Sequence, residues 1–404
     1  MPRAKVLIGF AEALSAPEVA WSLIDAGFEV AAFARRGRSS ALRYSRYVVC
    51  HEICPPELDL DRSCTELRSL LEHLGEGANG VPEILFPCDD KAVLLSNRFP
   101  LTKNWLHAGP CGFNAELALN KHLQVQKARE AGFNVPQTRI ARDANEVRAF
   151  ASTLPFPIIL KAADCVPTWQ GRYYSCRKWI CDNAPELEKA LAEWRERSPL
   201  LVQPFITGIG AGLFGLAAPD GVRAWSAHRR LRMMNPQGSG SSACISQSVP
   251  EDLQTRAEAL LREVRWRGSF MIELLRDHQD KLWFVELNGR PWGSISLSRR
   301  MGLEYPSWQV DLALDPGSKV GTGVSGLPGV ICRNVGREFM HLLFVLKGPR
   351  SKALDGWPSF WTTLGEMARI RRGDTFYNWR RGDARVFFAD CCYTVKDNIF
   401  KSKN

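Results

Sequence analysis

"LWFVELNGRPWGS", residues 282–294, decides how the rest of the chain is read. An apolar run ends there by setting Glu286, Asn288 and Arg290 at every second position. Successive side chains of a β-strand point to opposite faces, so these three project from one face and can meet a single ligand. The preceding "SFMIELLRDHQDK", residues 269–281, is another apolar run followed by a polar turn. Together they predict a hairpin with Glu273 on one arm and Glu286 and Asn288 on the other.

Further polar residues stand at the ends of apolar runs. "LNKHLQVQKAREAGFNVP" (119–136) puts Lys121 near the start of a helix, and "PFPIILKAAD" (155–164) puts Lys161 at the end of a strand. "LLVQPFI" (200–206) is a strand with Gln203 and Phe205 at its far end. Two lysines on separate elements, with two carboxylates and an amide on adjacent strands, suit a nucleoside triphosphate with magnesium. Lysines neutralise phosphate oxygens, and hard Mg²⁺ takes one or two oxygen side chains and completes its shell with phosphates and water.

The first 115 residues or so alternate. "AKVLIGF", "FEVAAFARR", "RYVVCHEI" and the start of "PEILFPCDDKAVLLSNRF" read as strands; "APEVAWSLIDAG" and "CTELRSLLEHLG" read as helices, and a third begins near Asp89 and Asp90. Such alternation predicts a parallel sheet with helices on both faces. The first strand-to-helix turn has no GxGxxG. One occurs at Gly210, Gly212 and Gly215, but "GLFGLAAPDGVRAWSAHR" follows it and reads as a hairpin, so these glycines mark close backbone approach or bulges rather than a dinucleotide site. The chain has no GxxxxGK[ST], HExxH or GxSxG either.

With 404 residues, 45% hydrophobic and 24% charged, the chain is long enough for several domains and is not disordered in composition. Its twelve cysteines form no CxxC pair and no zinc-type cluster, which points to reduced thiols in a cytoplasmic protein. The apolar run "VLIGF" near the start is too short for a signal peptide, and no stretch approaches the ~18 apolar residues of a bilayer span. The net charge is +10; residues 331–404 hold fourteen Lys/Arg against seven Asp/Glu, a net +7.

The order of these residues resembles the ATP-grasp superfamily over roughly residues 1–310, above all the Glu-x-Asn hairpin that continues into "NGR". "NGRPWGSISLSRRMGLEYPSWQVDLAL" is similar to the branch of carbamoyl-phosphate-synthase-type and D-aspartate ligases. The resemblance implies an α/β ATP-grasp architecture: a Rossmann-like pre-grasp domain (1–117), a lid (118–200), a grasp subdomain with the metal site (201–310) and a basic, mainly helical extension (311–404). It implies Lys121 and Lys161 on ATP phosphates, Gln203, Phe205 and Ile206 at the adenine hinge, and Glu273, Glu286 and Asn288 on two Mg²⁺ ions, with Mn²⁺ as a substitute. Arg290 would face phosphate or substrate. Two positions depart from the pattern: "TGIGAG" offers no carboxylate for the ribose, and Met271 stands where some ligases place an arginine. Arg230 is the expected substitute.

The implied reaction is ligation of a small carboxylate to an amine through an acyl phosphate, without nucleic acid. A phosphotransferase and a non-catalytic nucleotide-binding protein are the alternatives. "DCVPTWQGRYYSCRKW" and "NPQGSGSSAC" are candidate closing segments. The extension is expected to pack on the grasp subdomain, with weak attachment to an anionic membrane or acidic substrate as the sharper alternative.

Overall fold

The computed structural model of the protein describes residues 2–400 apart from 76–79, 103, 239, 352, 353, 355 and 372. Five parallel strands open the chain: β1 (Lys5–Gly9), β2 (Glu29–Arg35), β3 (Val49–Ile53), β4 (Glu83–Pro87) and β5 (Trp105–His107), in the order β3-β2-β1-β4-β5. Val6 and Ile8 of β1 pack with Val19 and Leu23 of α1 (Ala16–Asp25). Leu7, between them in sequence, packs instead with Leu67 and Leu71 of α2 (Leu60–Gly75) and Leu95 of α3 (Asp90–Ser96). Strand alternation thus places helices on both faces, as the sequence pattern predicts. Asp89 caps α3, accepting from Ala92 N at 2.8 Å.

The middle unit is a four-stranded antiparallel sheet in the order β10-β7-β11-β6. It is built from β6 (Arg139–Ala141), β7 (Ile158–Ala162), β10 (Trp179–Cys181) and β11 (Leu200–Pro204), with a small hairpin of β8 (Thr168–Trp169) and β9 (Arg172–Tyr173) projecting from it. Its helices α6 (Ala144–Ala151) and α7 (Ala184–Trp194) share one core with β7 and β11.

The third unit is a larger sheet, β16-β15-β12-β13-β14-β18-β19, with β17 (Val324–Ser325) paired to β13. Its long strands are β12 (Ile209–Ala218), β13 (Gly221–Met233), β14 (Ser241–Gln247), β15 (Gly268–Arg276) and β16 (Leu282–Asn288). On one face lie α4 (Phe113–Leu119), α5 (Lys121–Glu130) and α8 (Glu251–Glu263). On the other lie α9 (Ile295–Arg300) and α10 (Tyr305–Leu314).

Two expected boundaries shift. Residues 118–133 pack into the large sheet's core through Ala118, Ala128 and Phe133 rather than into the lid. The cut at 310 falls inside α10, whose Val310 also packs on the first unit. The extension is not a simple appendage either. Its β18 (Ile331–Arg333) and β19 (Thr375–Phe376) extend the large sheet, and α11 (Val335–Lys347) lies against that sheet. With α12 (Phe360–Ala368) and α13 (Ala384–Phe400) it remains mainly helical.

Most of its described basic residues, Lys347, Arg350, Arg369, Arg371, Arg381, Arg385 and Lys396, are exposed, but some are engaged internally. Arg333 pairs with Glu338 at 2.8 Å and Asp374 at 3.3 Å, Arg232 also pairs with Glu338, and Arg380 reaches Asp25 at 2.9 Å. Asp383 accepts from Trp21 Nε1 at 3.0 Å, which ties the extension to the first unit as well. No described helix is long and apolar enough to cross a membrane.

Cutting the chain after Leu327 would expose the edge of β14 and uncover Cys244 and Leu297, which pack with Cys332 and Tyr377 of the removed segment. The truncated protein is expected to aggregate or melt well below the full chain in a thermal scan. A soluble truncated protein with an unchanged melting temperature would show that the extension carries no structural weight.

Candidate functional site

The hairpin forms as the sequence predicts, and its register brings the acids together: Glu273 of β15 lies opposite Glu286 of β16, and Met271 opposite Asn288. Opposed residues of paired strands share a face. The row continues across the sheet, because Glu273 lies opposite Gly212 of β12 and Gly212 opposite His228 of β13. Asn288 Nδ2 donates to Glu286 Oε1 at 3.2 Å, and Arg230 Nη2 donates to Glu273 Oε1 at 2.7 Å. Arg230 therefore does reach the first acid, from two strands away.

The glycines make that reach geometrically open. A Cβ at Gly210 would lie 2.5 Å from Arg230 Cδ, and one at Gly212 would lie 2.5 Å from the Phe214 ring and 3.1 Å from His228 Nε2. At Gly215 it would lie 2.6 Å from the Phe270 ring. The GxGxxG is thus a row of close approaches within a strand, and no helix follows it.

This face forms the floor of a cleft of about 760 Å³ whose opposite wall comes from the middle unit. Lys161, Lys178, Gln203, Phe205 and Ile206 line it from that side, and Glu273, Glu286, Asn288, Arg230 and Arg290 from the other. Lys121 sits behind Glu286, its Nζ 3.9 Å from Oε2. Asn120 caps α5 through Leu123 N at 2.9 Å, and Lys121 N donates to Ala163 O at 2.8 Å, which locks this helix start beside the end of β7. Every expected site residue thus lies at or directly behind one cleft.

Burial alone would raise the Glu286 carboxyl, but Lys121, Lys178, Arg290 and Lys161 outweigh it and hold it down at about 2. Burial, with Lys121 and Lys178 adding repulsion, lowers Lys161 to about 8. Lys161 is thus short of negative charge, which is what an anion would supply, whereas Lys121, though burial opposes it, is raised by Glu286, Asp90 and Glu273 among others.

Three assignments take a different form from the expected one. Arg290 is engaged by Asp90 of the first unit at 3.1 and 3.4 Å, so it clamps two units as well as lining the cleft. Gln203 Nε2 donates to Thr138 Oγ1 at 2.6 Å and Phe205 N to Pro157 O at 2.9 Å, so these two hinge donors already serve the lid. Of "NPQGSGSSAC", the residues from Ser241 on belong to β14, and Ser239 lies outside the described residues. Sequence reasoning passed over Lys178, His228 and Arg337, all of which line the cleft. Lys178 lay inside a quoted closing segment; the other two had no local signal. His228 is buried with neither ring nitrogen hydrogen-bonded, and burial followed by Arg230 lowers it to about 3, which keeps it neutral.

No protein-family model matches the chain, and no curated protein matches it. Solved structures do. The biotin carboxylase domain of 2-oxoglutarate carboxylase from Hydrogenobacter thermophilus aligns with a TM-score of 0.60 at 17% identity, over 79% of this chain and 71% of that one. N5-carboxyaminoimidazole synthetase from Staphylococcus aureus gives 0.57 at 14%, over 81% and 80%. An L-amino acid ligase from Bacillus licheniformis gives 0.57 at 14%, over 80% and 76%. At such identities the likeness establishes the fold: the chain has the ATP-grasp fold.

The depressed Lys161 carries a pH signature. Between its folded value of about 8 and the ordinary 10.5, the unfolded chain binds more protons at this position, so the Lys161 contribution makes stability rise with pH. Below that window both states are protonated and the contribution is flat. Denaturant unfolding of wild type and Lys161→Met at pH 7 and near pH 10 should therefore diverge in favour of wild type as pH rises. Parallel profiles would contradict the buried-ammonium assignment.

Proposed function

We propose that the protein is an ATP-dependent ligase that joins a small carboxylate to an amine through an acyl phosphate, releasing ADP and phosphate. One observation carries the reading. Lys161 and Lys178 face Glu273, Glu286 and Asn288 across one cleft, with Lys121 directly behind. The structural neighbours support it: one was solved with MgADP and bicarbonate, and another is an L-amino acid ligase.

The donor set fits magnesium. Among the described residues no three His, Cys, Asp or Glu side chains gather as a metal cluster, but two carboxylates and an amide oxygen are the sparse hard shell that Mg²⁺ accepts when phosphates complete it. Bound there, the ion would be held by Glu273, Glu286 and Asn288 and would neutralise the transferring phosphoryl group.

The protein's own groups do the rest by position. Lys121 and Lys161 take phosphate oxygens, and those anions return Lys161 toward its ordinary value, so phosphate binding and protonation reinforce each other. Ile159, Ile180, Phe205 and Leu275 give the base an apolar slot. Arg230 and Arg290 line the same cleft as the acids and would face the phosphoryl group or the acid substrate.

A substrate carboxylate oxygen attacks the γ-phosphorus as the bond to ADP breaks. The amine nitrogen then adds to the acyl carbon, phosphate leaves with the bonding pair, and the nitrogen loses its proton. The acyl phosphate survives only if water is kept out, which gives the segment 164–179 its role as a cover over the cleft.

The reading is tested by incubating the protein with ATP and pools of amino acids and small acids, following ADP release and product mass. A new amide supports it; a stable phosphorylated product would make the protein a phosphotransferase. Glu286→Gln removes one anionic oxygen at constant size and is expected to lower turnover by about 100-fold or more while circular dichroism stays unchanged. Near-normal turnover in a folded Glu286→Gln protein would defeat the assignment.

A further inference from the structure

Helix α12 is apolar over more of its surface than the fold covers. It lies antiparallel on α11. Trp357 Nε1, just before α12, donates to Val345 O near the end of α11 at 3.1 Å, and Arg333, just before α11, donates to Met367 O at 2.6 Å and Arg369 O at 3.4 Å. Phe360, Thr363 and Met367, spaced i, i+3 and i+7, turn toward the protein: Thr363 is buried and the other two half-buried. Trp361, Leu364 and Ala368 repeat that spacing on a neighbouring stripe and face solvent, with Trp361 77% exposed. The chain leaves the helix as Arg369, Ile370 and Arg371, all exposed, Ile370 by 70%.

The charge around this stripe has one dominant sign. Among the described residues of 335–371 the exposed charged side chains are Lys347, Arg350, Arg369 and Arg371 against Glu366, and Glu366 already lies 3.5 Å from Arg232. Leu346, also exposed, stands beside Lys347 at the end of α11, close to where Trp357 leads into α12. Large apolar side chains held in water at this exposure leave free energy for a covering surface to recover, and the flanking cations select an anionic one.

We propose that α12 and residues 369–371 form a peripheral attachment site for an anionic phospholipid surface. The Trp361 indole and the Ile370 side chain enter the headgroup region, while Arg369, Arg371 and Lys347 meet lipid phosphates. Tryptophan suits that depth, because its ring is apolar and its one N–H stays near water. The uncovered apolar stripe belongs to a nine-residue helix, well short of the about 20–30 residues a side that a stable protein interface uses. A bilayer asks less: shallow insertion of a few side chains together with charge. No described helix crosses a membrane, so the attachment is to one face and reversible. It is independent of the reaction catalysed.

The test is co-sedimentation of the full chain with vesicles of phosphatidylcholine alone and of phosphatidylcholine with phosphatidylglycerol at about 3:1. At low salt, binding to the anionic vesicles is expected to exceed binding to the neutral ones by about tenfold or more, and to fall several-fold at about 0.5 M salt. Trp361→Ser with Ile370→Ser should weaken anionic-vesicle binding by about tenfold. Arg369→Gln with Arg371→Gln should remove the preference for anionic lipid. Both variants should keep the wild-type melting temperature, because the four side chains are exposed. Leu58→Ser, which removes a 62%-exposed leucine from the first unit, should leave binding unchanged. Absence of wild-type binding to anionic vesicles, or equal binding by wild type and the Trp361/Ile370 variant, overturns the proposal. So does self-association, or binding of polyglutamate, without vesicle binding, since either makes α12 a protein-docking face.

Discussion

The structure is arranged around a partly buried opposition of charge: Lys161 from one sheet, Lys121 from a helix start, and Glu286 with Glu273 from another sheet, with Lys178 exposed at the cleft's edge. Neither side tolerates burial alone, because an ammonium or a carboxylate removed from water must find a counter-charge. The lysines therefore keep Glu286 ionised far below the usual carboxylate range, and the acids keep Lys161 from losing its proton altogether. The balance is incomplete at Lys161, which stays below its ordinary value. A polyanion entering the cleft would complete it, which is why the same residues that hold two units together also define what the cleft accepts.

How much of this was legible depends on whether the deciding interaction is local. The alternation of the first unit, the hairpin, the helix start at Lys121 and the strand end at Lys161 were all readable, since period-2 and capping patterns are written in neighbouring residues. The partner of Arg290 was not: Asp90 lies 200 residues away and on another sheet's helix. Nor was the true place of residues 118–133, because an amphipathic helix shows that it has an apolar face without showing which sheet covers it. β18 and β19 have three and two residues, too few to display any alternation.

The basic extension shows that composition does not tell which charges serve the fold and which face solvent. A net +7 over residues 331–404 is borne mostly by exposed side chains, yet Arg333 and Arg380 are spent on acids within the fold. Glu18, fully buried in α1, accepts from Arg299 and Arg300 of α9 and from Asn378 N of the extension, so first unit, large sheet and extension meet at one carboxylate. Ser351, beyond α11, donates to Asp182 Oδ1 at 2.5 Å and adds a tie to the middle unit. The extension touches every other part of the molecule.

That placement bears on specificity. At 14–17% identity to its structural neighbours, the chain shares with them a scaffold, and a scaffold does not choose a substrate. One side of the cleft is built from the middle unit and the hairpin, the elements by which the fold itself was read. The far side is built from Leu14, His228, Trp292 and Arg337, drawn from the first unit, the large sheet and the extension. No short motif can encode a wall assembled from three separate parts of the chain. The lysines and acids of the cleft were therefore visible in the sequence as a hairpin and two lysines, whereas the rest of its wall consists of contacts that exist only once the units and the extension have packed together.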